Sequence, residues 1–186
     1  MKKIISIIIS IAMCAMLASC GGVKNEVSDT EQPTLIDTMS LEEKVGQILF
    51  VRCVDDEQTD DLLSIKQGGI LMFGRDFEGL TKDEVKEKIQ SYQDKSDIPL
   101  IIGADEEGGT VVRVSSNPNL APEKFKSPQE IYNEGGMDAV VENATEKSEL
   151  LLSLGVNMNL APVADVSTNP SDNMYDRILA QNQEVT

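Results

Sequence analysis

The sequence has no histidine and no tryptophan, and aromatic residues make up only 4% of it. Without an imidazole, no cysteine here has the base that would activate it as a nucleophile. A structural zinc site also fails, because the nitrogen and sulfur ligands it needs are too few. Cationic residues are scarce as well: 16 Lys and Arg stand against 32 Asp and Glu, a formal net charge of −16. Such a chain repels the phosphates of nucleic acid, which excludes that class of partner. Cysteines number three, Cys14, Cys20 and Cys53. What remains is 186 residues, 40% of them hydrophobic, enough for one modest domain.

The amino terminus reads as a targeting segment. Lys2 and Lys3 form a basic start, and residues 4–17 are apolar apart from Ser6 and Ser10. That run is too short to span a bilayer as a helix and fits a secretory signal. It ends in Leu17-Ala18-Ser19-Cys20, which resembles a bacterial lipoprotein signal. The resemblance implies that residues 1–19 are removed and that Cys20 is acylated, so the protein is exported and held at a membrane by lipid. The alternative is a plain signal peptide with an incidental Cys20. Residues 20–34, rich in Gly, Ser, Asp and Asn, read as a flexible tether. Cys14 leaves with the leader and Cys20 takes lipid, so Cys53 has no partner for an internal disulfide and is expected as a buried thiol.

The domain is expected from Leu35 onward. Ser40-Leu41-Glu42-Glu43 and Thr81-Lys82-Asp83-Glu84 are capping boxes, each opening a helix. Leu41, Val45, Ile48 and Leu49 share one face of the first; Val85, Ile89 and Tyr92 line the second. Residues 68–73 predict a short buried strand. Residues 99–104 predict another, buried on both faces because five apolar residues follow Pro99. Ser127-Pro128-Gln129-Glu130 opens a short helix ending at Gly135-Gly136. Residues 137–154 form a longer helix that Gly155 closes, and residues 157–166 form the next strand. Alternation of this kind argues for parallel strands. A doubly wound sheet and a (β/α)₈ barrel both fit. No Gly-rich phosphate fingerprint follows the first strand, which weakens the nucleotide-binding sheet.

The chemistry concentrates in residues 98–113. The strand there stops at Asp105-Glu106-Glu107, followed by Gly108-Gly109 and, four residues on, Arg113. Polar groups at the carboxyl end of a buried parallel strand lie where ligands bind. Two glycines let the backbone turn tightly beside a ligand, and Arg113 offers a fork of donors for hydroxyl or carboxylate oxygens. Asp105 and Asp165 both follow strands, so from the residues alone they are a plausible acid and nucleophile pair for glycoside hydrolysis. A cation held by Asp105, Glu107 and Asp165 is the weaker alternative, because no recognisable metal-loop spacing is present.

The stretch resembles glycoside hydrolase family 3, in its bacterial β-N-acetylhexosaminidase branch. Asp105, Glu107, Gly108, Gly109, Val111 and Arg113 match the family's Asp-x-Glu-Gly-Gly-x-Val-x-Arg. Gly68-Gly69-Ile70-Leu71-Met72-Phe73-Gly74, the segment from Asn159 to Val166 with its Ala-Pro-Val-x-Asp-Val, and Asp176-Arg177 agree in order and spacing. The resemblance implies a (β/α)₈ barrel. A barrel takes about 250 residues, so residues 35–186 are expected to be about its first half. It also implies that Asp105, Arg113 and Arg177 bind sugar and that no organic cofactor is used. Ile178-Leu179-Ala180 stands where the family has Ser-Phe-Gly after the arginine. The family's proton donor and nucleophile have no counterpart before Thr186, so this stretch is expected to bind but not to cleave. Glu106 and Glu107 read as loop or structural carboxylates, with Glu107 bracing the loop by accepting backbone N–H bonds. Asp165 reads equally as a structural acceptor or as a wall of the site. The implied reaction releases terminal N-acetylglucosamine from cell-wall or chitin-type saccharides. The rivals are another family 3 glycosidase, such as a β-glucosidase, and a non-catalytic saccharide-binding lipoprotein.

Overall fold

The structure, a computed structural model, describes residues 34–52, 56–179, 182, 184 and 186. The leader, Cys20, nearly all of the tether and Cys53 lie outside the described residues. The chain divides into two units at Thr38. Of the first, the described part is one short helix, α1 (Leu35–Thr38), preceded by Thr34, whose hydroxyl donates to Asp37 at 2.6 Å.

The second unit begins with α2 (Leu41–Gln47), capped as its sequence predicts: Ser40 Oγ accepts from Glu43 N and Glu43 accepts from Ser40 N. There follow β1 (Phe50–Arg52), α3 (Asp56–Ser64), β2 (Gly69–Met72), α4 (Gly74–Phe77), α5 (Lys82–Asp94), β3 (Ile101–Ala104), α6 (Pro128–Leu154) and β4 (Met158–Asn159). The reciprocal caps at Thr81 and Ser127 are both formed. α6 breaks where the glycine pair predicts: Gly135 and Gly136 leave helical geometry, Gly136 at φ 65°. Gly155 ends it at φ 92°, a conformation only glycine adopts without cost.

The four strands are all parallel and lie in the order β1-β2-β3-β4. This settles the choice between architectures. A doubly wound sheet reverses its strand order at a switch point, whereas a barrel adds each strand on the same side of the last. Here no reversal occurs across four strands.

The two faces of this sheet differ. Ile70, Met72, Ile102 and Ala104 point toward the helices and are buried against Val85, Ile89 and Tyr92 of α5 and Leu151 and Leu154 of α6. Each of the larger aliphatic side chains among them contributes about 1.5–3 kcal/mol on burial. Register places Phe50, Gly69 and Ile101 level with one another on the opposite face. Phe50 lies across that face: a Cβ on Gly69 or Gly103 would come within 2.6 Å of its ring. Both glycines are therefore required there, since a methyl group would displace the ring. In a (β/α)₈ fold this is the interior face.

Two expectations need correction, and two further features had no expectation behind them. β3 is not buried on both faces; Ile101 is 41% exposed, because it faces the barrel interior, where no other described strand covers it. The apolar stripe of α2 is open too, with Leu41 and Ile48 at 73% and 81% exposure. Amphipathic spacing identifies the stripe but not what covers it. The strand expected over 157–166 is only Met158–Asn159. It borders the described sheet, and Pro162 lacks the N–H a longer ladder needs. β1, α3 and α4 have no forerunner in the sequence reading: three- and four-residue elements show no measurable periodicity, and α3 carries mostly polar residues.

Candidate functional site

The site lies at the carboxyl ends of the strands. Its centre is the loop from Asp105 to Arg113, and three features fix that loop.

The first is Glu106, which is fully buried. One carboxylate oxygen accepts the N–H groups of Arg113 and Val114, each at 2.7 Å. The other accepts Ser115 N at 3.2 Å and the Ser115 hydroxyl. A buried carboxyl group is tolerated only when its acceptor sites are filled in this way. The second is Asn159 at the end of β4. Its amide accepts from Glu106 N at 2.9 Å and donates to Glu106 O at 3.1 Å, tying the loop to the neighbouring strand. The third is the glycine pair. Gly108 has φ 104°, and a Cβ there would lie 2.1 Å from Lys126 O. Gly109 has φ 63° and donates to Phe125 O at 2.8 Å. No side chain fits either position.

On this frame Asp105 follows Ala104 and, by strand alternation, turns to the interior face. Arg113 Nη2 donates to Asp105 Oδ2 at 3.0 Å, and the pair is about a quarter exposed. The Arg113 guanidinium also stands 5.4 Å from the centroid of Phe73. Its Nε–H is buried and has no partner among the described residues.

Arg177 comes in from the far end of the chain. Its Nε and Nη2 donate to the two oxygens of Glu107 at 2.8 and 2.6 Å, a bidentate fork. The hydrogen bond to Glu107 raises the Arg177 pKa above its ordinary value, against the effect of burial, and the charges of Asp105 and Asp165 act in the same sense. Asp105, Arg113, Glu107 and Arg177 are thus brought together, with Asp165 near enough to act on Arg177. The sequence reading gave Glu107 the backbone N–H groups. The structure gives those to Glu106 and pairs Glu107 with Arg177. The two acids are adjacent, so a small change in loop path exchanges their roles, and spacing alone does not choose.

Two participants escaped the sequence reading. Lys147, on α6, is 8% exposed and donates from Nζ to Glu107 O at 2.7 Å. Burial lowers its pKa, partly offset by Glu106 and Glu107. Asn159 is the other. A signal existed for each: a lysine on the buried side of a helix, and an asparagine where a strand meets Leu-Ala-Pro. Lys147, Glu107, Asn159 and Pro162 line a hollow of about 380 Å³ beneath the loop. A larger hollow of about 760 Å³ lies at the other end of the strands, lined by Leu41, Val45, Leu49 and Ile65. Among the described residues no group of three acidic or cysteine side chains is placed to hold a metal ion.

Chemically, the centre offers hydrogen-bonding groups of both kinds. A hydroxyl-rich ligand finds a carboxylate acceptor in Asp105 and donors in Arg113. The residues around them hold these groups in place, and among the described residues none stands as a proton donor poised opposite a nucleophile.

Comparison with known proteins gives the class. The family description "Glycosyl hydrolase family 3 N terminal domain" matches residues 40–186, and the chain belongs to that family. Its fold is therefore TIM-barrel-like, in agreement with the unreversed parallel strand order.

The chain is similar to Beta-hexosaminidase A of Pseudoalteromonas piscicida, 31% identical over 108 residues, which cover 56% of this chain and 18% of that protein. It is similar also to Beta-hexosaminidase LpqI of Mycobacterium tuberculosis, 26% identical over 134 residues, or 72% of this chain and 33% of the other. Among solved structures, a family 3 glycosyl hydrolase of Mycobacterium smegmatis superposes with a TM-score of 0.67 at 23% identity, over 80% of this chain and 44% of that one. Native NagZ of Neisseria gonorrhoeae gives 0.60 at 20% identity, over 74% and 41%. These superpositions concern the fold. The chain spans less than half the length of each of these proteins.

Proposed function

We propose that this chain supplies the saccharide-gripping part of a glycoside hydrolase that releases terminal N-acetylglucosamine from β-linked oligosaccharides, of cell-wall or chitin type. The observation that carries the reading is the Asp105–Arg113 pair. It sits at the carboxyl end of a barrel strand, partly open to solvent, on a loop that Glu106, Asn159 and two glycines hold rigid. Rigid placement of an acceptor and a donor is what sugar hydroxyls require. The names of the curated relatives, all β-hexosaminidases, support the sugar. Arg177 borders the same site and, beyond its fork to Glu107, keeps N–H groups for a sugar oxygen. The chemical step belongs to a proton donor and a nucleophile outside these residues, and in a retaining mechanism the nucleophile carries the sugar covalently. The Leu17-Ala18-Ser19-Cys20 leader supports an exported protein anchored by lipid on Cys20.

The test is turnover of 4-nitrophenyl N-acetyl-β-glucosaminide by the complete protein, with 4-nitrophenyl β-glucoside as comparison. Preference for the first supports the reading. Preference for the second favours the glucosidase rival, and binding of saccharides without turnover favours the non-catalytic one.

A further inference from the structure

Glu106 and Glu107 are adjacent, and both are buried, at 0% and 4% exposure. Glu107 meets a cation directly, in the fork of Arg177. Glu106 does not. Among the described residues its donors are three backbone N–H groups and the Ser115 hydroxyl, all of them neutral. Two buried carboxylates in sequence, with a cation in contact with only one, leave a charge uncompensated.

The second cation comes from α6. Its buried positions are Lys147, Leu151 and Leu154, which lie on one stripe of the helix. An apolar side chain suits the first of them as well as the others, and a buried amine there is costly unless negative charge faces it. Nζ of Lys147 donates to Glu107 O at 2.7 Å and stands 5.6 Å from the centroid of Phe125. Gly108 makes room for it: a Cβ on that residue would lie 3.3 Å from Nζ. The ammonium is thus enclosed between the loop backbone and an aromatic ring.

Of the charges acting on Lys147, that of Glu106 is the larger and that of Glu107 the smaller, and both oppose the effect of burial. The amine bonded to one residue therefore compensates the carboxylate of its neighbour. No other cation is placed to do so. Lys126, whose carbonyl also meets Gly108, turns its own amine to Glu134. The side chains that line the hollow beneath the loop, apart from Glu107 and Lys147, are uncharged. Glu106 in turn fixes the backbone of Arg113, and Glu107 fixes the guanidinium of Arg177.

We propose that Lys147 is a positioning residue: its buried ammonium is the counter-charge for Glu106 and the anchor of the Glu107 carbonyl, and through them it sets where Arg113 and Arg177 stand. The inference rests on the saccharide reading above and adds to it a residue that acts through others.

The experiment uses two variants of the complete protein. Lys147→Met fits the apolar stripe and removes the charge with little change in packing. Lys147→Ala opens space for a small added molecule, either propylammonium or propan-1-ol, alike in size and different in charge. Binding of thio-linked di-N-acetylchitobiose, which resists hydrolysis, is read by titration calorimetry, and stability by the urea midpoint. Lys147→Met is expected to bind at least about tenfold more weakly than the wild type, as the loss of a charged hydrogen-bond partner allows. In Lys147→Ala, propylammonium should restore most of the affinity and raise the midpoint, propan-1-ol should do neither, and the wild type should respond to neither compound. Should Lys147→Met fail to fold, the alanine variant decides. Wild-type affinity in Lys147→Met overturns the positioning role. Equal rescue by amine and alcohol marks the lysine as packing and overturns the counter-charge; so does rescue by neither. If the wild type itself binds no saccharide, the saccharide reading falls and the positioning role with it, while the urea midpoints still decide the counter-charge.

Discussion

Replacing Glu106 by glutamine changes one atom in the most constrained part of the site. The side chain is fully buried, and its two oxygens accept four hydrogen bonds, three from backbone N–H groups and one from the Ser115 hydroxyl. A glutamine keeps one oxygen and turns an NH₂ toward the other pair. Two orientations follow. If NH₂ faces Arg113 N and Val114 N, two backbone donors meet a donor. If it faces Ser115, the hydroxyl rotates to accept from it, and only Ser115 N is stranded. The second is the cheaper. A buried polar group left unpaired costs about 1–3 kcal/mol, and hydrogen bonds to a charged acceptor are stronger than those to a neutral one by roughly a further kcal/mol. Glu106→Gln should therefore destabilise the complete protein by about 2–4 kcal/mol. Urea unfolding checks this, with the slope unchanged and the midpoint lowered. Glu106→Ala, which strands all four donors, should cost more. The Arg113 backbone hangs on Glu106, so saccharide affinity should fall along with stability. A loss below roughly 0.5 kcal/mol, the range of ordinary surface substitutions, would refute the bracing role of Glu106.

Three other outcomes are expected. Asp105→Ala in the complete protein should lower kcat/KM by roughly ten- to hundredfold, because partners of a sugar hydroxyl are left unpaired; wild-type kinetics would remove Asp105 from the site. Mass spectrometry of the membrane fraction should find a lipid-modified amino-terminal Cys20, and Cys20→Ser should release the protein; cleavage elsewhere, or an unchanged distribution, would refute the anchor. Residues 35–186 expressed alone should be inactive and either associated or molten, because Phe50, Ile101 and Leu160 are 37%, 41% and 40% exposed on the sheet's interior face and its edges invite pairing. A sharp cooperative transition in a monomer would contradict this. Turnover by the purified fragment would return Asp105 and Asp165 to the role of catalytic pair.

The sequence by itself determined the parts whose information is local. The capping boxes at Ser40, Thr81 and Ser127, the break at Gly135-Gly136 and the stop at Gly155 are decided within a few residues, by which backbone groups a side chain reaches and which φ a residue tolerates. The same holds for the turn at Gly108-Gly109 and for the position of Asp105 at a strand end. The tertiary structure decided what depends on residues distant in the chain. Strand order separates the barrel from the doubly wound sheet, and no residue pattern within one element encodes it. Arg177 finds Glu107 across 70 residues and Lys147 reaches the same residue's carbonyl across 40. Adjacent acids of identical type, Glu106 and Glu107, were told apart only by the path of the loop. Both are buried, but one meets the backbone donors of 113–115 and the other the guanidinium of Arg177. A carboxylate's role is set by the donors that surround it, and those arrive only when the chain has folded.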